Sequence, residues 1–300
     1  MENNGFIDEI CAYIIDKHSN DMDNVILVFP NERPGIYVRN NLMKRLNNNQ
    51  VIFSPKIYSM KNFLLSLTTL ELLNENELIF ELYKVYKSVL SENNIDIKES
   101  FMEYYSWGQV ILEDFNDIDK DLVEAKELYS ITYEEEKIKQ IFDVNNSNNE
   151  IKNRYLEIWR LLYNIYDKFK SNLLENNKAY EGLLERVISD KIDELIKKFD
   201  DKKVYFCGFC RITKSVEKII KCFIDNEKGK YIWNYDKYYY ENKSNKAGMF
   251  IRQNLNNEKV KNNSIIIEND FLSNQNKYIH IHIKGAPQGS GQIAVFNKII

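Results

Sequence analysis

A run of five apolar residues followed by a proline is the feature that most narrows what this chain can fold into. Residues 25–29 read Val-Ile-Leu-Val-Phe, and Pro30 ends the run. A continuous apolar run of this length is typical of a strand that is covered on both faces, as in a parallel sheet with helices on either side. The sequence therefore predicts an α/β fold, with a strand at 25–29, a tight turn and a helix at 36–46.

The turn after this strand lacks the residues that hold a nucleotide phosphate. A P-loop reads G-x-x-x-x-G-K-[ST], and its backbone amides, lysine and hydroxyl surround the phosphates and the magnesium ion. Here the turn Pro-Asn-Glu-Arg-Pro-Gly, from Pro30 to Gly35, has one glycine, no lysine and no hydroxyl. Pro34 also has no amide hydrogen. ATP hydrolysis is therefore not expected, although a strand, turn and helix in this order can still aim helix amides at an anion.

Composition and charge exclude several classes of protein. With 44% hydrophobic residues over 300 positions, the chain can bury the core of one large or two small domains. The formal net charge is −4, so any contact with DNA must be local. Residues 1–21 read as neither a signal peptide nor a membrane anchor, and four cysteines do not make a disulfide framework. We expect a cytoplasmic location without membrane contact.

Hydrophobic periodicity divides the chain into four segments. Residues 1–72 alternate helix and strand, and residues 73–200 carry apolar residues at helical spacing. The α/β pattern returns at 201–275, and residues 276–300 begin a further segment. The predicted elements outside the helical block are a helix at 5–17, strands at 25–29 and 51–53, a helix capped by Ser59, strands at 203–208 and 231–233, and a strand at 278–283.

Blocks of sequence over most of the chain resemble one known family. Besides VFPNERPG at 28–35, they are FMEYYSWGQVILEDFNDIDKDLVEAKELY at 101–129, AYEGLLERV at 179–187, VYFCGFCRITKSVEKII at 204–220, and YIWNYDKYYYENKSNKAGMFIRQNL at 231–255. In content and order they are similar to the N-terminal part of AddB/RecC-type proteins, and most to the Bacteroidetes branch described as PD-(D/E)XK nuclease family proteins.

The resemblance implies an inactivated RecA-like domain of superfamily 1 helicase type, interrupted by a large all-helical insertion at 73–200. Residues 276–300 would then begin a second motor-like domain. In that family the nuclease lies several hundred residues further on, so the resemblance implies a fragment without nuclease residues. The implied partners are DNA, as a single strand or a duplex end, and an AddA/RecB-like helicase subunit. No cofactor is expected.

A second nucleotide motif is degenerate in the same way as the first. In a helicase the strand at 204–207 would lead into Asp-Glu, which hold magnesium and activate water. Here those positions are Cys207 and Gly208, and no G-K-[ST] occurs anywhere in the chain. Asn31, Gly35, Cys207 and Gly208 therefore mark two nucleotide motifs without their chemistry.

Two groups of residues are candidates for DNA contact. Arg33, Arg39, Lys44 and Arg45 form a basic cluster on the first turn and helix, which either contacts DNA phosphates or is an ordinary solvated helix face. The aromatic run at 233–240 either stacks on the bases of a single strand or fills the end of the sheet.

Two further motifs have a more ordinary interpretation. Cys207 and Cys210 form a C-x-x-C, but its place after a long helical block favours buried core cysteines over redox chemistry. The acidic run at 117–121 begins like a calcium loop, but Leu122 and Leu128 replace its glycine and glutamate. A solvated acidic helix face is therefore predicted there.

Two motifs near residue 300 are also weak. His280 and His282 alternate on a predicted strand, but no third zinc ligand is evident nearby. The loop at 285–292 resembles a phosphate loop without its lysine, and it either touches a DNA phosphate or is a plain connection.

The sequence thus predicts no catalytic residue and no metal site in this chain. Its expected role is to bind or guide DNA and to contact a partner subunit within a double-strand-break repair helicase-nuclease. Two alternatives remain open: a protein-docking module that does not bind DNA, and a nucleotide hydrolase with unconventional motifs.

Overall fold

The computed structural model describes residues 5–45, 53–97, 99–142 and 149–270. The chain has a mixed α/β fold with a five-stranded parallel sheet, consistent with a RecA-like α/β fold. The strands are β1 (Val25–Phe29), β2 (Lys56–Ser59), β3 (Glu71–Leu72), β4 (Lys178–Ala179), β5 (Lys203–Cys207), β6 (Gly229–Asp236) and β7 (Ser264–Asn269). The α-helices are α1 (Phe6–His18), α2 (Arg33–Arg45), α3 (Met60–Leu65), α4 (Glu75–Glu92), α5 (Phe101–Lys120), α6 (Ala125–Phe142), α7 (Asn149–Glu175), α8 (Glu181–Leu195), α9 (Lys214–Asp225), α10 (Lys237–Glu241), α11 (Met249–Leu255) and α12 (Glu258–Asn262).

The order of the strands places a crevice beside the first of them. The sheet runs β2-β1-β5-β6-β7, so the connections from β1 and from β2 lead to opposite sides of β1. Counted within the sheet, this is the order 2-1-3-4-5 of doubly wound folds, which bind ligands at the carboxyl ends of the strands where the order reverses. We call the rim formed by the carboxyl ends of β1, β2, β5 and β6 the carboxyl edge.

The sheet is buried on both faces, as the apolar run at 25–29 predicted. All five residues of β1 are buried. Leu27 and Tyr205 belong to a core with α1 and α2, whereas Val28 and Phe206 belong to a larger core with α3, α8 and α9. Because side chains alternate along a strand, each strand contributes to both cores.

The segment between the two short strands is helical. β3 pairs in parallel with β4, and the described residues between them contain α4, α5, α6 and α7 but no strand. Local sequence starts two of these helices. Asn74 and Ser100 are N-caps whose side chains accept from the amides of Glu77 and Glu103, and both glutamates bond back to the cap amide. The larger core continues from the sheet into this segment.

A fully buried carboxylate joins the helical segment to the sheet. Asp119 on α5 is 0% exposed and accepts hydrogen bonds from the hydroxyls of Tyr166, at 2.5 Å, and Tyr180. Its Oδ1 also lies 3.1 Å from Lys170 Nζ and 3.0 Å from Arg186 Nε. Two cations and two hydroxyls thus replace the water that the carboxylate loses on burial. We call these five residues the Asp119 cluster.

The prediction of a solvated acidic face at 117–121 is therefore wrong at its centre. Asp117 and Asp121 are exposed, but Asp119 faces inward. Its partners lie 47 to 67 positions further along the chain, beyond the reach of a motif search.

Two predicted elements also differ from the structure. α2 begins at Arg33, not at residue 36, because Pro34 suits the first turn of a helix. Phe53 is not in a strand, and the second strand of the sheet is β2, whereas residues 51 and 52 lie outside the described residues. Ser59 caps α3, as predicted.

Removing the charge of Asp119 should destabilise the fold. In Asp119→Asn, the cations Lys170 and Arg186 remain near a neutral group, and we expect the free energy of unfolding to fall by about 3 kcal/mol. Urea denaturation at pH 7.5, followed by circular dichroism, measures this change. Asp117→Asn makes the same substitution on the exposed face of α5 and should change the free energy by less than about 0.5 kcal/mol. Equal midpoints for the two variants would contradict a structural role for the Asp119 cluster.

Candidate functional site

The loop after β1 has no free amides at the start of α2. The side chain of Asn31 accepts from the amide of Arg33, at 3.1 Å. Pro34 has no amide hydrogen, and the amide of Gly35 donates to the carbonyl of Glu32, also at 3.1 Å. The first three residues of this helix therefore offer no N–H group to a phosphate, so the expectation that helix amides can be aimed at an anion is wrong for these residues.

A carboxylate also lies beside this helix start. Glu32 Oε1 accepts a hydrogen bond from Asn62 Nδ2 on α3, at 2.7 Å, which joins the loops after β1 and β2. The start of α3 is occupied too, because Ser59 Oγ accepts from the amide of Asn62. A negative charge at this position repels a phosphate.

The loop after β5 is closed by a side chain from α1. Gly208 has a φ of +70°, a conformation that favours glycine, and a Cβ atom added there would lie 2.9 Å from Phe6 Cε1. The amide of Gly208 donates to the carbonyl of Ile232, at 2.9 Å. The space above Gly208, at the end of β5, is therefore filled by the ring of Phe6.

A carboxylate of the chain already lies at the start of α9, the helix that follows this loop. Glu185 on α8 accepts hydrogen bonds from Thr213 Oγ1, at 2.9 Å, and from Ser215 Oγ, at 2.5 Å. Thr213 is the N-cap of α9. Burial raises the pKa of Glu185, and the two hydroxyls act in the opposite direction. A carboxylate of the chain thus occupies the helix end that would favour a phosphate.

The two cysteines of the C-x-x-C lie in different environments. Cys207 is fully buried, as predicted, and burial raises the pKa of its thiol well above its usual range. Cys210 is exposed, so the prediction of buried cysteines is wrong for this residue. A buried thiol of high pKa is a poor nucleophile, so the pair does not have the environment of a redox motif.

The four basic residues predicted to contact DNA do not form one patch. All are exposed on α2. At about 100° per residue, Arg33 and Lys44 share a face, whereas Arg39 and Arg45 project to opposite sides of it. Lys44 lies about 16 Å along the helix from Arg33, away from the carboxyl edge. Arg45 is also 3.9 Å from Asp8 on α1. Of the four, only Arg33 and Arg39 lie near the carboxyl edge.

Other cations at this edge were missed in the sequence. Arg211 and Lys214 follow β5, and Lys243 and Lys246 follow β6. All four are exposed. The signal was present, since each follows a predicted strand of a parallel sheet, whose carboxyl ends lie at one edge. We call Arg33, Arg39, Arg211, Lys214, Lys243 and Lys246 the carboxyl-edge cations.

The aromatic run at 233–240 divides into core and surface. Trp233 is 1% exposed and donates to Ser264 Oγ, at 2.8 Å. The rings of Tyr235 and Tyr240 stack on each other, with centroids 4.7 Å apart. Tyr238 and Tyr239 are 44% and 36% exposed. Only these last two rings are accessible to a base at the carboxyl edge.

The loop that carries these tyrosines is held by one arginine. The guanidinium of Arg252 on α11 donates to the carbonyls of Tyr239, at 2.5 Å, Asn242, at 3.1 Å, and Asn245, at 2.7 Å. Gly248 permits this approach, because a Cβ atom there would lie 1.9 Å from the carbonyl oxygen of Tyr239. The loop is therefore anchored by backbone contacts.

Histidine chemistry has little support in the described residues. His18 hydrogen-bonds Tyr205 through Nε2, at 2.7 Å, and Asp21 through Nδ1, at 3.1 Å. Burial raises the pKa of Tyr205, so its phenol is not an activated nucleophile. Within the described ranges, no group of three or more His, Cys, Asp or Glu side chains is placed to hold a metal ion. His280, His282 and the loop at 285–292 lie outside those ranges.

Three of the predicted site residues on the turn and helix after β1 line one cleft. Asn31, Gly35 and Arg39 surround a space of about 250 Å³ between the loops after β1 and β2. Cys207 and Gly208 lie at the end of β5 instead. A larger groove of about 690 Å³ lies between α3 and α5, but two of its carboxylates are paired: Glu75 with Gln109 and Glu181 with Lys120.

Comparison with known proteins does not identify a family for this chain. No family model matches the chain, and no curated protein matches it significantly. No helix in the described part of the chain has the length and apolarity needed to cross a membrane.

Proposed function

We propose that this chain is the non-catalytic, helicase-like portion of a double-strand-break repair helicase-nuclease. In this role its α/β sheet is an inactivated motor domain, and the helices between β3 and β4 are an insertion in that domain. It binds or guides DNA at the carboxyl edge, contacts a helicase subunit of the AddA/RecB type, and hydrolyses no ATP itself.

One observation carries the proposal: the helix ends at the carboxyl edge are occupied by oxygens of the chain. Asn31, Ser59 and Thr213 cap α2, α3 and α9, and Glu185 adds a negative charge at α9. A nucleotide triphosphate needs several free amides and a cation at this place. These contacts support the interpretation that the sheet retains the architecture of a nucleotide-binding domain but lacks the groups that bind the phosphates.

The carboxyl-edge cations support DNA as the ligand. Their side chains extend from loops and from the first two turns of helices, so they can contact a phosphate backbone without any amide cradle. Such contacts are independent of base sequence and weaken with salt, which suits a protein that guides a strand. The exposed rings of Tyr238 and Tyr239 add accessible aromatic surface beside them.

Exposed apolar side chains on the helical segment support a protein partner. Phe80 on α4 is 49% exposed and its ring packs on that of Phe101, with centroids 5.8 Å apart. Ile97 and Met102, beside Phe101 at the start of α5, are 40% and 79% exposed. Grouped apolar residues of this kind are typical of contact surfaces between proteins.

Charge reversal at the carboxyl edge should weaken DNA binding. In the double variant Arg39→Glu/Lys246→Glu, two phosphate contacts are replaced by repulsion, and we expect the Kd for a fluorescein-labelled 15-nucleotide oligo-dT to rise at least about tenfold. Fluorescence anisotropy between 50 and 200 mM salt also gives the slope of log Kd against log salt. This slope should decrease by about 0.7 for each lost contact.

Lys44→Glu is the matched control for this experiment. It reverses one charge at the far end of α2, as each of the two substitutions in the double variant does at the carboxyl edge, and we expect less than about a twofold change in Kd, since long-range charge effects are screened by salt. An equal loss in Lys44→Glu would place the DNA on the outer face of α2. Absence of binding by the unmodified chain would favour a docking module without DNA.

The chain should not bind or hydrolyse ATP. Isothermal titration calorimetry with Mg·ATP at up to 1 mM should show no binding heat, because neither candidate loop has the G-K-[ST] residues that hold the phosphates and the magnesium ion. Phe6→Ala removes the ring above Gly208 and should still show no binding, since opening the space does not supply a phosphate ligand. DNA-stimulated hydrolysis that is lost in Asn31→Ala would instead support a hydrolase with unconventional motifs.

A further inference from the structure

The outer face of α2 combines exposed apolar side chains with positive charge. Ile36, Tyr37 and Met43 are 57%, 57% and 72% exposed, and Asn40 and Lys44 are exposed beside them. These five residues form the outer face of α2. We propose that this face is a docking surface for an acidic amphipathic helix of a partner protein. The inference does not rest on the proposed function, because the helical segment and the DNA path at the carboxyl edge do not use this face.

The charge of α2 differs from that of the whole chain. The chain has 41 Lys and Arg residues against 45 Asp and Glu, which gives a formal net charge of −4. The 13 residues of α2, in contrast, include four Lys or Arg and no Asp or Glu. Within the described residues, Arg45 is the one of these four that forms an ion pair, at 3.9 Å from Asp8. Charge complementarity therefore favours an acidic partner.

The apolar side chains of this face form two ridges with positive charge between them. At about 100° per residue, Ile36 and Met43 project to one side of the face and Tyr37 projects to the other. Lys44 lies between these ridges. Arg33 projects in nearly the same direction as Lys44, about 16 Å away along the helix axis. A partner helix with two carboxylates about eleven residues apart, and with apolar side chains beside them, matches this pattern.

This arrangement disfavours three other occupants. A second α2 packed by two-fold symmetry would place four cations against four cations, which repel each other. A membrane surface favours apolar side chains that form one continuous face, whereas Lys44 separates Tyr37 from Met43. A phosphate backbone matches the cations but offers little apolar surface to Met43. An acidic amphipathic helix matches both the charge and the apolar ridges.

Substitutions on the outer face should leave the fold intact. The opposite face of α2 packs in the core through Gly35, Val38 and Leu42, which are buried. Met43 and Lys44 project away from that core and are exposed. Changes at exposed positions usually have little effect on stability, so variants at these two positions report on binding. Equal urea midpoints for the variant and the unmodified chain verify this.

Two designed peptides test the inference. The acidic peptide is a fluorescein-labelled helix of about 18 residues, built mainly from alanine and glutamine. It carries two glutamates eleven positions apart and three leucines between them on the same face. The basic peptide has lysine in place of both glutamates. In fluorescence anisotropy with the full chain at pH 7.5 and low salt, we expect the acidic peptide to bind at least about tenfold more tightly than the basic one.

Two double variants locate the binding surface. Met43→Glu/Lys44→Glu removes an apolar side chain and reverses a charge on the outer face, so it should weaken binding of the acidic peptide at least about tenfold. Met102→Glu/Lys126→Glu makes the same substitutions at exposed positions of α5 and α6. This control should change the Kd by less than about twofold. Equal losses in the two variants would overturn the assignment to α2.

Other outcomes would also overturn the inference. If neither peptide binds, or if the basic peptide binds as tightly as the acidic one, the face is not a site for an acidic helix. If Met43→Glu/Lys44→Glu weakens binding of oligo-dT as strongly as Arg39→Glu/Lys246→Glu does, the face belongs to the DNA path.

Two further measurements test a membrane and a second copy of the chain as occupants. Cosedimentation with phosphatidylserine vesicles that is lost in Met43→Glu/Lys44→Glu would make the face a membrane contact. A dimer in light scattering that dissociates in the same variant would make it a contact between copies. Either result would refute the proposed partner. Because the peptide assay contains no DNA, a failure of the proposed DNA binding would leave this inference standing.

Discussion

The Asp119 cluster is the interaction on which the arrangement of the two parts of the chain depends. It joins α5 and α7 of the helical segment to α8, through Tyr180 at the start of α8 and Arg186 within it. Arg186 is adjacent in sequence to Glu185, the residue that binds the start of α9. The carboxylate in the helical segment therefore helps to position α8, whose Glu185 binds the start of α9.

Close backbone packing strengthens the same junction. The amide of Gly182 on α8 donates to Asn116 Oδ1 on α5, at 2.7 Å, and a Cβ atom at Gly182 would lie 2.3 Å from the carbonyl oxygen of Asn116. The charges of the cluster and this approach of two helices act on the same interface. The helical segment is thus joined to α8 by both buried charges and close backbone packing.

The closed helix ends change what the edge of the sheet can bind. An open edge of a doubly wound sheet presents amides and helix dipoles, which favour a compact group of phosphates. Here each cap takes up one helix amide, and Glu185 places a carboxyl group at the start of α9, so the side chains beside these helix starts supply much of the remaining chemistry. Side-chain cations spread over three loops suit an extended polyanion better than a small one. This physical difference separates the proposed role from that of a nucleotide hydrolase.

Much of the fold was predictable from local sequence. The buried strand at 25–29, the strand that begins at Lys203, the cap at Ser59 and the helical spacing of α4, α5 and α7 are short-range signals. The candidate site was less predictable. The absence of the P-loop lysine was visible in the sequence. The directions in which the four basic side chains project from α2 were not, so Lys44 and Arg45 were grouped with Arg33 and Arg39.

By itself, the sequence determined that the chain forms a parallel α/β sheet with a helical segment, and that two loops lack the residues for binding a triphosphate. Only the tertiary structure decided what fills those loops, namely Phe6 above Gly208 and Glu185 at the start of α9. It also decided that Asp119 is buried among partners from α7 and α8. The reason is physical: periodicity and caps act between residues a few positions apart, whereas the groups that close a loop or neutralise a buried charge come from distant parts of the chain.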